Sequence, residues 1–576
     1  MSTPVAQDGL AHVGQVLSDN WGIEAVQTEL LAGEHDATLR VVDADGVAHC
    51  VKVRTLGDDA SDVDLELAVF EHLRHHDPID VPRLRPTLDG ADRCVVDGRA
   101  VWVLSWVDGL RWADVVHRGP RLARDLGEAA RRLSRGLQSF EHPGASRTHH
   151  WDLRSIDSAI ARHSDQLTSE RQRAVGERAL ELFADRVEPR IERLPQSIVH
   201  QDLNDHNVIV SVDQGLASIA GIIDFGDLLH SATITELAVP IAYAMLRTSH
   251  PIDTAANVAA GWFGDETPTE DELAVLFPLA LGRLVVNATT WAARQAHQPG
   301  YARLRSANTW ATLDQLLDYP IEFVDERIAA ACNLIRPSPI RAMPAPRRSA
   351  LYSGLAVADL DPHRDVFDVV DPTDSDAVTR AALPDLPCAI VHDTVRLDLG
   401  GPADGEGGPS TIQLGVELRL NGATELPLPA PGSVVESTPD RVVVAHRIDQ
   451  EDYWTMWSGL HSTAVPGDWV AEGEPIGSVP EEPGSAINVQ LLRFGPSGHD
   501  HVPSMVRPVD REAWTRLSID PSELLGLTTF DRLEVPTESE VMAVRDGRLA
   551  SSQRYYYREP MSLVRASGVW FVDTNA

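Results

Sequence analysis

Between residues 21 and 107 the apolar positions come in short alternating runs, the period of half-buried strands. Val41-Val42 and Cys50-Val51-Lys52-Val53 flank Asp43-Ala-Asp-Gly46, a hairpin turn signal. Residues 64–74 switch period, with Leu65, Val69 and Leu73 on one face of a helix. Val101-Trp-Val-Leu-Ser-Trp-Val107 reads as a buried strand that stops at Asp108-Gly109. From about residue 110 to 335 the pattern is helical, interrupted at 197–227 by two apolar strands, 208–212 and 219–223. Residues 336–348 hold four prolines among arginines and read as a linker. Alternation returns over 395–500, with strands at 441–448 and 452–459. The expectation is a multidomain chain: an α+β bilobal domain over 1–335 (lobes at about 20–107 and 110–335), a connector over 336–394, an all-β domain over 395–505, and a second connector leading to a further module over 506–576.

The net charge of −36 excludes nucleic acid or an anionic membrane as the main partner. An anionic substrate would need local neutralisation. The four cysteines are scattered, and neither a secretory leader nor an apolar run near the ~18 residues of a membrane span is visible, so a cytoplasmic location is expected. Of 50 basic residues one is lysine, Lys52, and the other 49 are arginine. A lysine kept in such a chain points to a place where a compact point charge is needed and a planar fork is not. An inward lysine on an apolar strand suits the phosphates of a nucleotide; the alternative is a chance survivor on a solvated strand.

The interruption carries His200-Gln-Asp202-Leu-Asn-Asp-His-Asn207, then an apolar strand ending in Asp224-Phe-Gly-Asp227. Phosphoryl transfer to a hydroxyl needs a carboxylate that accepts or orients the proton and oxygen ligands for magnesium. Asp202 on a loop supplies the first, and a hairpin returns Asp224 to the same cleft as Asn207. His200 reads as a brace for the loop. This stretch resembles the aminoglycoside phosphotransferase and choline kinase superfamily, over residues 20–335. The resemblance implies a protein-kinase-like fold that uses ATP and Mg2+, with Asp202 as base, Asn207 and Asp224 as metal ligands and Lys52 as phosphate anchor. It also implies Glu66 as the ion-pair partner of Lys52, with Glu71 less well placed. Gly33 falls in the nucleotide loop, and residues 102–109, including Ser105 and Val107, form the adenine-binding hinge.

His149-His150-Trp151-Asp152-Leu153 resembles the hydroxylysine kinase and homoserine kinase branch, which would place Trp151 and Asp152, together with Asp227, near the acceptor. An acidic residue there could bind an amine. The other reading makes Trp151 core and Asp152 a helix N-cap. Adjacent histidines point apart, so a metal site at His149-His150 is not expected.

Residues 395–500 resemble zinc peptidases of the lysostaphin type, but the ligand positions read Gln413, Glu417 and Gln490. Amides are poor zinc ligands, so a spacer or interaction domain is expected, with His461 a relic and His499 and His501 solvated. Residues 554–573 resemble the opening of class III aminotransferase-like enzymes, although no lysine follows Lys52 to hold pyridoxal phosphate. The fused modules imply a kinase acting on a small amino alcohol or hydroxylated amino acid, with contact to an aminotransferase-like module and a homo-oligomer as further expectations. An antibiotic phosphotransferase, a nucleotide-binding pseudokinase and a scaffold are the alternatives.

Overall fold

The computed structural model describes residues 12–31, 37–56, 61–75, 81–295, 299–306, 308–334, 352–358, 360, 386–393, 410, 412–448, 451–482, 485–496, 500–527, 562–566 and 569–573. They fall into two units, 1–317 with 331–334, and 318–330 with 335–576.

The first unit begins with an antiparallel sheet in the order Ala25–Leu30, Ala37–Asp43, Ala48–Thr55, Arg99–Ser105, Leu84–Arg85, with Cys94–Val96 also on Arg99–Ser105. The expected hairpin is present: Gly46 takes φ +80°, and Asp43 Oδ1 accepts the N–H groups of Asp45 and Val47. Period-two alternation sorts the faces. Leu39, Val41, Val51, Val101 and Val103 pack with Leu17 and Trp21 of the helix Val13–Trp21. Lys52, opposite Trp102 in the register, points to the other face, which the helix Ser61–Arg74 serves. Gly109 links the lobes at φ +147°; a Cβ there would lie 2.6 Å from the carbonyl oxygen of Val210.

The remainder of this unit is helical around two small β elements. The hairpin Val208–Asp213 and Leu216–Ile222 receives Leu110–Arg111 on its edge, and Gln196–Val199 pairs with Leu229–Ala232. The helix Glu270–Arg294 runs through the core. Contrary to the sequence reading, this helix is long and apolar enough to cross a membrane, with a window of mean hydropathy 1.6, of which 94% is buried inside the fold. Gly282 lets the helix approach the segment after Asp152, since a Cβ there would meet Ile156 at 2.6 Å.

The second unit is built on a nine-stranded sheet that contains Val416–Arg419, Ile487–Leu492, Glu451–Ser458, Arg441–Ile448 and Gly432–Ser437 as consecutive neighbours. Val416, Leu418, Val434, Val442, Val444, Trp457, Ile487 and Val489 form its core. The all-β character expected over 395–505 is present. The helix Ile321–Ala331, expected in the kinase lobe, groups largely with this unit, because Phe323 stacks on Trp514 at 4.7 Å and Glu326 faces Arg516 at 3.8 Å. Amphipathic spacing marks a buried face but not which core receives it. At the tail, Ser562–Ala566 and Val569–Asp573 form a hairpin; residues 554–561 lie outside the described residues, as do His499 and most of the connector 336–394.

Candidate active site

Lys52 is 5% exposed, and its Nζ donates to Glu66 Oε1 at 2.7 Å and to Asp224 Oδ1 at 2.9 Å. Glu66 is buried on its helix, while Glu71 faces outward to Arg74 and His75. Arg54, two residues on and therefore on the same face of the strand, lies 3.7 Å from Glu66 Oε2. Lys52 holds the Asp224 carboxyl below the usual carboxylate range, against the opposing effect of burial. Asp224 sits at φ +67° and Gln201 at φ +66°, left-handed conformations that bulky residues adopt only where the surroundings impose them. Phe225 explains part of that constraint: it packs edge-on against Phe70 of the Glu66 helix and against His200.

The Asp202 loop is tied down on every side. Asp202 Oδ2 accepts from Asn204 Nδ2 at 2.9 Å and Asn207 Nδ2 at 2.7 Å. The Asn207 amide nitrogen also reaches the Asp202 carbonyl oxygen at 2.9 Å. With its nitrogen spent inward, the Asn207 amide is left its oxygen as a metal ligand. That oxygen and the half-exposed Asp224 carboxylate make an all-oxygen donor set suited to magnesium. A backbone bond from Ile223 N–H to the Asn207 carbonyl, 2.9 Å, joins the Asn207 and Asp224 segments. His200 is the expected brace: Nδ1 accepts the Asp202 N–H and Nε2 donates to the Ile223 carbonyl, both at 3.2 Å. Burial lowers its pKa to about 4, so it stays neutral near pH 7.

Two groups that hold the loop escaped the sequence reading. Glu236 is fully buried and accepts the His200 N–H at 2.5 Å; burial raises its carboxyl to about 8. Arg283, 1% exposed, donates to Asp202 Oδ1 at 2.7 Å and to the Trp151 carbonyl at 3.1 Å. Each is a lone charged residue within an apolar helical run, a signal that could have found both.

On the acceptor side, Trp151 is half-buried; its carbonyl also accepts from Gln201 Nε2 at 3.2 Å, and its ring lies 4.7 Å from the Arg283 guanidinium. The Asp152 side chain takes the N-cap role that was the other reading of the sequence. Its side chain is fully buried, caps the turn at the Arg154 N–H (2.9 Å) and forms a bidentate pair with the Arg154 guanidinium. The two histidines go to different partners, His149 Nε2 to the Asp227 carbonyl and His150 Nε2 to Thr290 Oγ1. Asp227 stays half-buried at the end of its motif. At the hinge, the Ser105 N–H is committed to the Arg83 carbonyl at 2.8 Å, and Val107 is half-buried in the link between lobes. Gly33 lies outside the described residues.

Residues 26–276 match the phosphotransferase enzyme family. The chain is 27% identical over 238 residues to hydroxylysine kinase of Mus musculus, covering 39% of this chain and 63% of that protein. Against hydroxylysine kinase of Bos taurus it is 28% identical over 220 residues, 36% of this chain and 58% of that one. The match therefore spans less than two thirds of either relative's length. A solved microcompartment-associated aminopropanol kinase aligns with TM-score 0.43 and 17% identity over 56% of this chain and 98% of its own. Residues 26–276 are thus similar to the phosphotransferase enzyme family and, over part of their length, to hydroxylysine kinases.

Proposed function

We propose that the chain transfers the γ-phosphoryl group of ATP to the hydroxyl of a small hydroxylated amino acid or amino alcohol. The observation that carries this reading is the joined constellation: Lys52 paired with Glu66 and Asp224, and Asp202 tied to Asn207. The relatives named hydroxylysine kinase support the acceptor class. Lys52 would bind the phosphates of ATP, and Asn207 and Asp224 would hold magnesium, which when bound would supply positive charge against that of the phosphates. Asp202 accepts a hydrogen bond from the acceptor hydroxyl and then its proton as the new P–O bond forms and ADP leaves. Because Asp152 is closed off, Asp227 is the acidic side chain for an acceptor ammonium.

The test is ADP release with Mg-ATP across 5-hydroxylysine, homoserine, 1-amino-2-propanol, their deaminated analogues and kanamycin. An amino acceptor should exceed its deaminated analogue about 10- to 100-fold in kcat/KM, the size of one charge-assisted hydrogen bond. Equal use of both, or turnover of kanamycin alone, would favour an antibiotic phosphotransferase.

For the second unit we read a relative of lysostaphin-type peptidases without the metal. Gln413 Nε2 donates to the carbonyls of Ile390 (3.1 Å) and Gly415 (3.3 Å), and Gln490 Nε2 to that of Pro503 (2.8 Å). Glu417 is paired with Arg419 at 2.7 Å. Amide nitrogens turned inward as donors and a carboxylate already neutralised do not make a zinc set. His461 is exposed on a two-residue strand.

A further inference from the structure

Arg283 is a cation in the middle of a helix whose neighbours are leucine, valine and alanine. Its Nε is buried without a hydrogen-bond partner, so packing alone is poorly served by an arginine here. An apolar side chain of similar volume would fill the same space without desolvating a charge. What an arginine adds is its fork. One nitrogen reaches Asp202 Oδ1 at 2.7 Å, and another reaches the Trp151 carbonyl at 3.1 Å. The guanidinium lies 4.7 Å from the Trp151 ring centroid and 5.7 Å from that of Tyr243, which limits the positions it can take. Asp202 Oδ2 is held by Asn204 and Asn207, so Arg283 fixes the opposite oxygen.

We propose that Arg283 is a positioning residue: it locks the Asp202 carboxylate against rotation and ties it to the Trp151 segment, so that the acceptor wall and the base keep one geometry. This rests on the reading of Asp202 as the group that orients the acceptor hydroxyl. A lysine would have to reach both acceptors from one nitrogen on a shorter side chain, whereas arginine offers two divergent donor nitrogens.

The experiment compares the parent with Arg283→Lys, Asp202→Asn and the double variant in the full chain. ADP release is read with 5-hydroxylysine and with water as acceptors, so a measurable rate does not depend on the acceptor guess. Arg283→Lys should lower kcat about 10- to 100-fold, the scale of a misplaced catalytic group, while KM for ATP stays within about 2-fold. In the Asp202→Asn background the same change should lose most of that effect, falling to about 2-fold or less, because the group it positions is already disabled. Should Arg283→Lys not fold, Trp151→Leu removes the ring beneath the guanidinium and should give a smaller kcat loss with the same dependence on Asp202. Full additivity with Asp202→Asn, or a raised KM for ATP with kcat unchanged, would overturn the proposal. An Asp202→Asn variant at the parent rate would instead remove the reading of Asp202 itself.

Discussion

Exchanging Lys52 for arginine keeps the charge and changes only its shape, which makes it the sharpest probe of the nucleotide site. Nζ bridges Glu66 Oε1 at 2.7 Å and Asp224 Oδ1 at 2.9 Å in a pocket where the lysine is 5% exposed. Arg54 already occupies the neighbouring space, with a guanidinium nitrogen 3.7 Å from Glu66 Oε2 and its guanidinium carbon 5.9 Å from the centroid of the Trp102 ring. A second guanidinium cannot enter without displacing one of these contacts. Loss of one charge-assisted hydrogen bond costs about 1.5–3 kcal/mol, so kcat/KM for ATP should fall about 10- to 150-fold in Lys52→Arg. Overpacking should also lower folding stability by about 1–3 kcal/mol. Coupled ADP release under varied ATP measures the first, and denaturant unfolding the second. Lys52→Met, which leaves Glu66 buried without its lysine, should be worse on both measures. If Lys52→Arg matched the parent in kcat/KM for ATP, the compact charge would be irrelevant and the lone lysine an accident of composition.

Three further predictions concern groups with different jobs. Asp152→Asn should lower stability by about 1–2 kcal/mol through the weakened cap and Arg154 pair, yet leave the preference for amino over deaminated acceptors unchanged; a preference that vanished would return Asp152 to the acceptor site. Glu236 has its carboxyl raised from 4.5 to about 8 in the fold, so the folded state binds the extra proton and stability should decline as pH rises through that window. Glu236→Gln should flatten the decline in denaturant titrations, and an identical slope in both proteins would count against the assignment. Purified protein should contain no stoichiometric zinc by elemental analysis; one zinc per chain, lost in Glu417→Ala, would reverse the reading of the second unit.

What the sequence disclosed about the site was its short-range part. Asp202, Asn207 and Asp224 come with fixed local spacing, because a loop and a hairpin need only adjacent residues to build them. Lys52 stood out as the one lysine of the chain, and the resemblance pointed to Glu66, 14 residues on, as its partner. Arg283 reaches Asp202 across 81 residues and Glu236 reaches His200 across 36, and no periodicity encodes such a meeting. Asp152 was ambiguous for a related reason. The same aspartate can cap a turn or face a ligand, and only the direction taken by Arg154 decides. The grouping of Ile321–Ala331 was not legible, because its Phe323 stacks on Trp514, nearly two hundred residues later, which no local pattern announces.

On the proposed function, a chain of net charge −36 would host an anionic nucleotide, and these long-range groups bear on how. Long-range repulsion matters less than the charges within a few ångströms, because water and salt screen the rest. Near the Asp202 loop several anions face cations. Glu66 and Asp224 face Lys52 and Arg54, and Asp202 faces Arg283. Glu236, raised to about 8, is protonated near pH 7, and His200, lowered to about 4, is neutral. The loop is therefore supported by one acid and one base that are both uncharged, and two ion pairs hold it, Asp202 with Arg283 and Asp205 with Arg247. On the proposed function, that arrangement would let Lys52, Asn207 and Asp224 meet the phosphates without an excess of buried negative charge. The two arginines also differ in surroundings: Arg54 adds positive charge beside Glu66, while Arg283 joins Asp202 to the Trp151 carbonyl and is closed to solvent.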